Sequence, residues 1–310
     1  MPLSVNFKGL VVPVLTPIIN DDKKTLNLSV IPQYAQYLLQ KGIKGILVNG
    51  TTGEGPSLSL QERKSITEAW VDAVKTTKQY LMVQIGGCPL PDVLELAKQA
   101  ELLKVDSLLC LPELYFKPSN SQEVIDYLKI VGVAAPNTPL LYYHIPMLTN
   151  VNINVPNLLK NIGNQVPTFS GVKFTSSVLE EAVEAVNVQN KKYAVFLGND
   201  QIITAGFVLG IDSVIATSIN LFPELVLGIV NDCQKGNWLE AKEKQEQLTQ
   251  AVTTISKFGT WVETMKAAMN LLTNVNVGPV RPPLKPLAPE AITALAKDLQ
   301  VLGFDISLNI

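Results

Sequence analysis

Histidine occurs once in 310 residues, at position 144. Zinc sites built from several histidines are therefore excluded. Cysteine is scarce and odd in number: Cys88, Cys110 and Cys233 lie far apart, form no metal-ligand spacing, and point to a reducing, cytoplasmic compartment. An excess of positive charge is also missing. Twenty-five Lys and Arg stand against 27 Asp and Glu, for a net charge of -2, so nothing is present to neutralise a phosphate backbone and no nucleic-acid partner is expected. No apolar run approaches the ~20 residues of a membrane span, and no membrane partner is expected. The segment Pro2–Lys8 has neither a basic n-region nor an apolar h-region, so no secretory leader is expected; Ser307–Ile310 carries no retention or lipidation signal. In such a compartment the sequons at Asn27 and Asn49 are silent. Chemistry must then run on Lys, Tyr, Thr, Asp or Glu.

What is abundant is apolar residue in short runs. These occur at Leu10–Leu15, Gly45–Val48, Tyr80–Ile85, Ser107–Leu111, Pro139–Ile145, Phe169–Phe174, Ala194–Leu197 and Ser213–Ala216. Amphipathic stretches of helical length separate them, such as Ser29–Lys41, Leu60–Lys75, Pro91–Lys104 and Ser121–Ala135. Eight apolar strands alternating with helices predict an α/β fold, a (β/α)8 TIM barrel whose strands are buried on both faces. No Gly-x-Gly-x-x-Gly follows the first strand, which disfavours a doubly wound dinucleotide fold. From Phe222 onward only helices are expected: Pro223–Lys235, Trp238–Lys257, Val262–Leu272 and Pro289–Leu302. The proline-rich link Gly278–Pro286 between the last two suits neither helix nor central strand. The expected organisation is a barrel core over 1–221. The last barrel helix and a C-terminal helical extension, over 222–310, pack against it.

Active sites of such barrels lie at the C-terminal ends of the strands. Strand 6 ends in Ser170-Gly171-Val172-Lys173-Phe174-Thr175. Strand alternation puts Phe169, Gly171, Lys173 and Thr175 on one face, with Val172 and Phe174 on the other. Burial disfavours an ammonium and frees the neutral amine, which forms Schiff bases with ketones. The alternative is an edge-strand lysine reaching to water. Tyr143, at the end of strand 5, can cycle a proton beside an imine, or be a core aromatic with a satisfied hydroxyl. Tyr142 and His144 then face the helix layer, and His144 is read as a satisfied structural histidine; no Ser–His–Asp triad or Cys–His dyad is expected from it. Gly50-Thr51-Thr52-Gly53 offers hydroxyls and backbone N–H groups suited to a carboxylate, or a plain turn whose threonine caps the next helix. A lysine, a phenol and a carboxylate nest at one barrel mouth describe a class I aldolase acting on a 2-oxo acid.

Gly50-Thr51-Thr52-Gly53-Glu54, Tyr143-His144-Ile145-Pro146 and Gly171-Val172-Lys173-Phe174-Thr175, in this order, resemble the pyruvate-dependent class I aldolases that include the dihydrodipicolinate synthases and the animal N-acetylneuraminate lyases. The resemblance runs through nearly the whole chain. It implies a Schiff base between Lys173 and the C2 ketone of a sugar acid, Tyr143 as the proton acceptor, and Thr51 and Thr52 on the substrate carboxylate. It also implies a polyol pocket lined by Thr175, Gly198, Asp200, Gln201, Thr217 and Ser218, no metal, no cofactor, and a homotetramer in which Tyr115 is lent to a neighbouring site. Gln201 stands where these lyases carry Glu, and Ala216-Thr217-Ser218-Ile219-Asn220 where they read Gly-Ser-Thr-Tyr-Asn. Related aldolases with another aldehyde, or a binding protein on the same fold, are the alternatives.

Overall fold

The computed structural model of the protein describes residues 3–307; residues 1–2 and 308–310, at the ends of the two terminal segments, lie outside the described residues. In chain order the elements are β1 (Leu10–Pro13), α1 (Ile31–Gln40), β2 (Gly45–Val48), α2 (Leu60–Thr77), β3 (Tyr80–Gln84), α3 (Leu90–Leu102), β4 (Ser107–Cys110), α4 (Ser121–Ala134), β5 (Leu140–His144), α5 (Pro146–Thr149) and α6 (Val155–Ile162). They continue with β6 (Phe169–Phe174), α7 (Leu179–Asn187), β7 (Ala194–Leu197), α8 (Ile203–Val208), β8 (Ser213–Ile215), α9 (Pro223–Lys235), α10 (Trp238–Ser256), α11 (Trp261–Leu272) and α12 (Pro289–Val301). All eight strands are parallel and close in sequence order into one barrel, β1 pairing with β8. The fold is the expected (β/α)8 barrel.

Strand alternation sorts the apolar residues into two cores. Val11, Leu47, Met82, Leu109, Leu141, Tyr143, Phe196 and Ile215 fill the barrel interior. Their chain neighbours Val12, Ile46, Val48, Leu81, Val83, Leu108, Tyr142 and Leu197 face outward and pack under the helices. Burial on both faces explains why the strands read as unbroken apolar runs. Helix starts are set locally. Ser59 and Glu62 form a reciprocal capping box at α2, and Asn120 and Asn154 cap α4 and α6.

β6 departs from simple alternation. Leu140 pairs with Phe169 but Leu141 with Gly171, so one extra residue bulges from the strand. Phe169 therefore joins the outer core against Tyr193 instead of sharing the inner face with Lys173. Beyond the bulge the expected alternation holds: Val172 and Phe174 lie in the outer core, and Lys173 is paired with Tyr143 of β5 on the inner side. Gly171 is required by contact: a Cβ there would lie 2.2 Å from the Ala194 carbonyl oxygen.

Beyond α9, α10 packs back on α9 and α11 reaches the turn after β8. The link 278–286 contains no helix or strand, as its prolines require. It returns to the barrel, where the Arg281 amide donates to Glu54 Oε2 at 2.7 Å.

Candidate active site

The register of β5 and β6 sets Tyr143 directly opposite Lys173. Lys173 Nζ donates to the Tyr143 hydroxyl at 3.0 Å and stands 4.2 Å from the centre of its ring. Lys173 is 5% exposed and Tyr143 2%, which excludes an edge-strand lysine reaching to water. The Tyr143 hydroxyl is in turn 3.3 Å from Thr51 Oγ1. Amine, phenol and alcohol thus form one connected chain across the C-terminal ends of β6, β5 and β2. Phe196 of β7, paired with Lys173, closes the barrel beneath the amine with an apolar floor.

The loop after β2 is shaped by close packing. Asn49 and Glu54 adopt left-handed φ of 58° and 57°, whereas Gly50, Gly53 and Gly55 do not. A Cβ on Gly55 would lie 2.0 Å from the Asn49 carbonyl oxygen, and one on Gly53 3.0 Å from that of Val14. Gly53 and Gly55 therefore serve close approach and not a left-handed turn. Among the described residues the Thr51 and Thr52 amides donate to no other protein group, while those of Glu54 and Gly55 close turns onto Thr51 and Gly50. Neither threonine caps α2, since Ser59 does. Two unengaged amides beside two hydroxyls are donors of the kind a carboxylate can bind.

The expected polyol group divides. A Cβ on Gly198 would meet Thr175 Oγ1 at 1.9 Å and Lys173 Cε at 3.1 Å, so the glycine lets Thr175 lie against the lysine stem. Among the described residues Thr175 Oγ1 and Ser218 Oγ are buried without a hydrogen-bond partner. Asp200 is buried and accepts from the Ser218 amide at 2.7 Å. Burial raises its pKa above the usual carboxylate range, while Ser218 and the charge of Lys173 pull it the other way. Thr217 Oγ1 is engaged, 2.8 Å from Thr52 Oγ1 and accepting from Trp261 Nε1 at 3.1 Å. Gln201 is not brought in: exposed, it donates to Thr253 of α10 at 3.3 Å. Tyr115 is 83% exposed with its ring against Phe116, itself 81% exposed, and makes no hydrogen bond to the lysine–phenol pair within one chain.

His144 lies behind the barrel wall as expected, against Phe174, yet it is not satisfied: among the described residues its Nδ1 has no partner. Burial lowers its pKa from 6.5 to about 4.

A family model for the dihydrodipicolinate synthetase family matches residues 6–302. The chain belongs to that family. It is 33% identical to the N-acetylneuraminate lyase of Gallus gallus, over 94% of this chain and 95% of that one. To the N-acetylneuraminate lyase of Homo sapiens it is 32% identical, over 96% and 93%. The solved structure of Proteus mirabilis N-acetylneuraminate lyase superposes with a TM-score of 0.90 at 29% identity, covering 96% of this chain and 99% of that one.

Sequence reasoning overlooked a second buried lysine. Lys266 of α11 lies 2.6 Å from Glu54 Oε1, both side chains 1% exposed, and donates to the Pro279 carbonyl at 2.8 Å. Burial depresses the Lys266 pKa despite Glu54. Helix spacing puts Lys266 beside Met265 and Met269 with nothing to mark it, so only the fold reveals this pair.

Among the described residues no group of three or more His, Cys, Asp or Glu side chains could hold a metal ion, and no helix is long and apolar enough to cross a membrane.

Proposed function

We propose that this protein is a class I aldolase, a lyase that cleaves N-acetylneuraminate reversibly to N-acetylmannosamine and pyruvate. The observation that carries the reading is the buried Lys173 amine held 3.0 Å from the Tyr143 hydroxyl. The Lys173 amine attacks the C2 ketone of the open-chain sugar acid, and water leaves as the Schiff base forms. The protonated imine is the electron sink for the next step, so the chemistry calls for no metal or organic cofactor. Tyr143, left as a phenolate once its own proton has gone to the departing water, takes the proton of the C4 hydroxyl as the C3–C4 bond breaks, releasing the aldehyde and leaving an enamine on Lys173. Protonation of the enamine at C3 and hydrolysis of the imine then free pyruvate.

Thr51 and Thr52 hold the substrate carboxylate through hydroxyls and amides, and Thr175, Asp200 and Ser218 face the polyol, with Gly198 leaving space for Thr175. The proposed assembly is a cytoplasmic homotetramer. The exposed Tyr115–Phe116 pair supports contact with another copy of the chain, and Tyr115 is the residue proposed to complete a neighbouring site.

A second reading, pyruvate with a different aldehyde, is favoured by two observations. The Gln201 amide is turned to Thr253, and Ile219 is wholly buried where the family's lyases carry a tyrosine. Leu148 and Thr149 stand where dihydrodipicolinate synthases carry an arginine, which argues against that product. The test is a panel of aldehydes offered with pyruvate, each scored by kcat/KM. N-acetylmannosamine is expected to lead; another aldehyde preferred by about tenfold or more would transfer the assignment to it.

A further inference from the structure

Trp261 opens α11, more than two hundred residues from the loop after β2, yet it reaches that loop through one intermediary. Its indole Nε1, a donor only, gives its hydrogen to Thr217 Oγ1 at 3.1 Å. Thr217 Oγ1 is 2.8 Å from Thr52 Oγ1, and either oxygen could donate by distance alone. Their surroundings decide the direction. Thr217 is buried, already accepts from the indole, and among the described residues has no acceptor for its own hydrogen except Thr52 Oγ1. Thr52 is as dry as Thr217, so before substrate binds one hydrogen of the pair is stranded in either direction. With a carboxylate in the cradle, only Thr217 donating to Thr52 leaves neither hydrogen stranded, and stranding one is costly. The order satisfied with substrate bound is indole N–H to Thr217, Thr217 O–H to Thr52, and Thr52 O–H to the carboxylate.

We infer that Trp261 and Thr217 are positioning residues that aim the Thr52 hydroxyl as a donor at the substrate carboxylate. This rests on the reading of Thr52 as part of the carboxylate cradle, and it gives Thr217 a task other than contact with the polyol. A hydroxyl free to rotate loses part of its donor strength to reorientation; one whose oxygen accepts a hydrogen bond has its own hydrogen committed to the carboxylate and is polarised toward it. It also gives the C-terminal extension a part in recognition, because the terminal donor belongs to α11.

Trp261→Phe keeps the aromatic bulk and deletes the N–H; Thr217→Val deletes the hydroxyl at nearly equal volume; Thr217→Ser keeps it. Each full-length protein is treated with borohydride over a range of pyruvate concentrations, and in parallel over a range of acetone, a ketone without a carboxylate. Adduct on Lys173 is read by mass spectrometry. For Trp261→Phe and Thr217→Val the half-saturating pyruvate concentration is expected to rise about fivefold to tenfold, with that for acetone unchanged. Thr217→Ser is expected to recover most of the difference. Half-saturation by pyruvate unchanged in both deletions would overturn the inference, as would a parallel loss for pyruvate and acetone, which marks general damage to the site. Absence of any adduct in the wild-type protein would instead overturn the aldolase reading, and this inference with it.

Discussion

At the scale of single residues, two tyrosines next to each other illustrate how strand geometry assigns roles. Tyr142 faces the outer core, where burial pushes its pKa up, and it packs near His144. Tyr143 faces the barrel interior with its hydroxyl on Lys173. In Tyr143→Phe the amine and its surroundings persist, so Schiff-base formation should continue while carbon–carbon cleavage slows. A fall in kcat of about 10²–10⁴ is expected, with trapping of pyruvate on Lys173 retained. His144 offers a separate test, of stability. Its folded pKa is about 4 against an ordinary 6.5, so the unfolded chain binds more protons between those values and the fold weakens as pH falls through them. The neutral imidazole's contribution is complete above 6.5 and is lost progressively toward 4. Since this is the only histidine, denaturant unfolding at about pH 7 and about pH 5 isolates it: the wild type should lose about 2 kcal/mol over that step relative to His144→Phe.

At the scale of elements, all eight strands were legible in the sequence because a parallel barrel buries both faces of each strand and so demands unbroken apolar runs. The facing of Phe169 was not legible. Period-two alternation predicts facing only while the strand is regular, and the bulge at the start of β6 depends on how Leu140 and Leu141 of a different strand pair with it. Lys173 and Tyr143 could be read because each sits at the end of an apolar run. Trp261, Thr217 and Lys266 could not be read as neighbours of the β2 loop, since their contacts join elements far apart in the chain. The Lys266–Glu54 pair carries its own consequence. Removing the lysine leaves a carboxylate buried against the Arg281 amide without a counter-charge. Lys266→Met should cost about 3–5 kcal/mol of unfolding free energy, measured by chemical denaturation, whereas the same substitution at exposed Lys242 should cost less than about 0.5 kcal/mol.

At the scale of the whole molecule, the barrel over 1–221 and the segment 222–310 are proposed to act as one body. Three ties support this: Trp261 to Thr217, Lys266 to Glu54, and the Arg281 amide to Glu54. Thermal or denaturant unfolding of a Trp70→Phe, Trp238→Phe variant, in which Trp261 is the one indole left, followed by its fluorescence and by far-ultraviolet ellipticity should then give coincident transitions. Separate transitions would mark an extension that releases first. Because two of the ties converge on the loop that bears Thr51 and Thr52, loss of the extension should also abolish the carboxylate cradle.

The central claim is that the Lys173 amine is the one that bonds to substrate carbon. Borohydride reduction of the full-length protein in the presence of pyruvate, followed by peptide mass spectrometry, addresses it most directly. The expected result is a single reduced pyruvyl adduct, located on Lys173 and absent from Lys173→Arg. An adduct on the other buried lysine, Lys266, or no adduct in the wild-type protein, would contradict it.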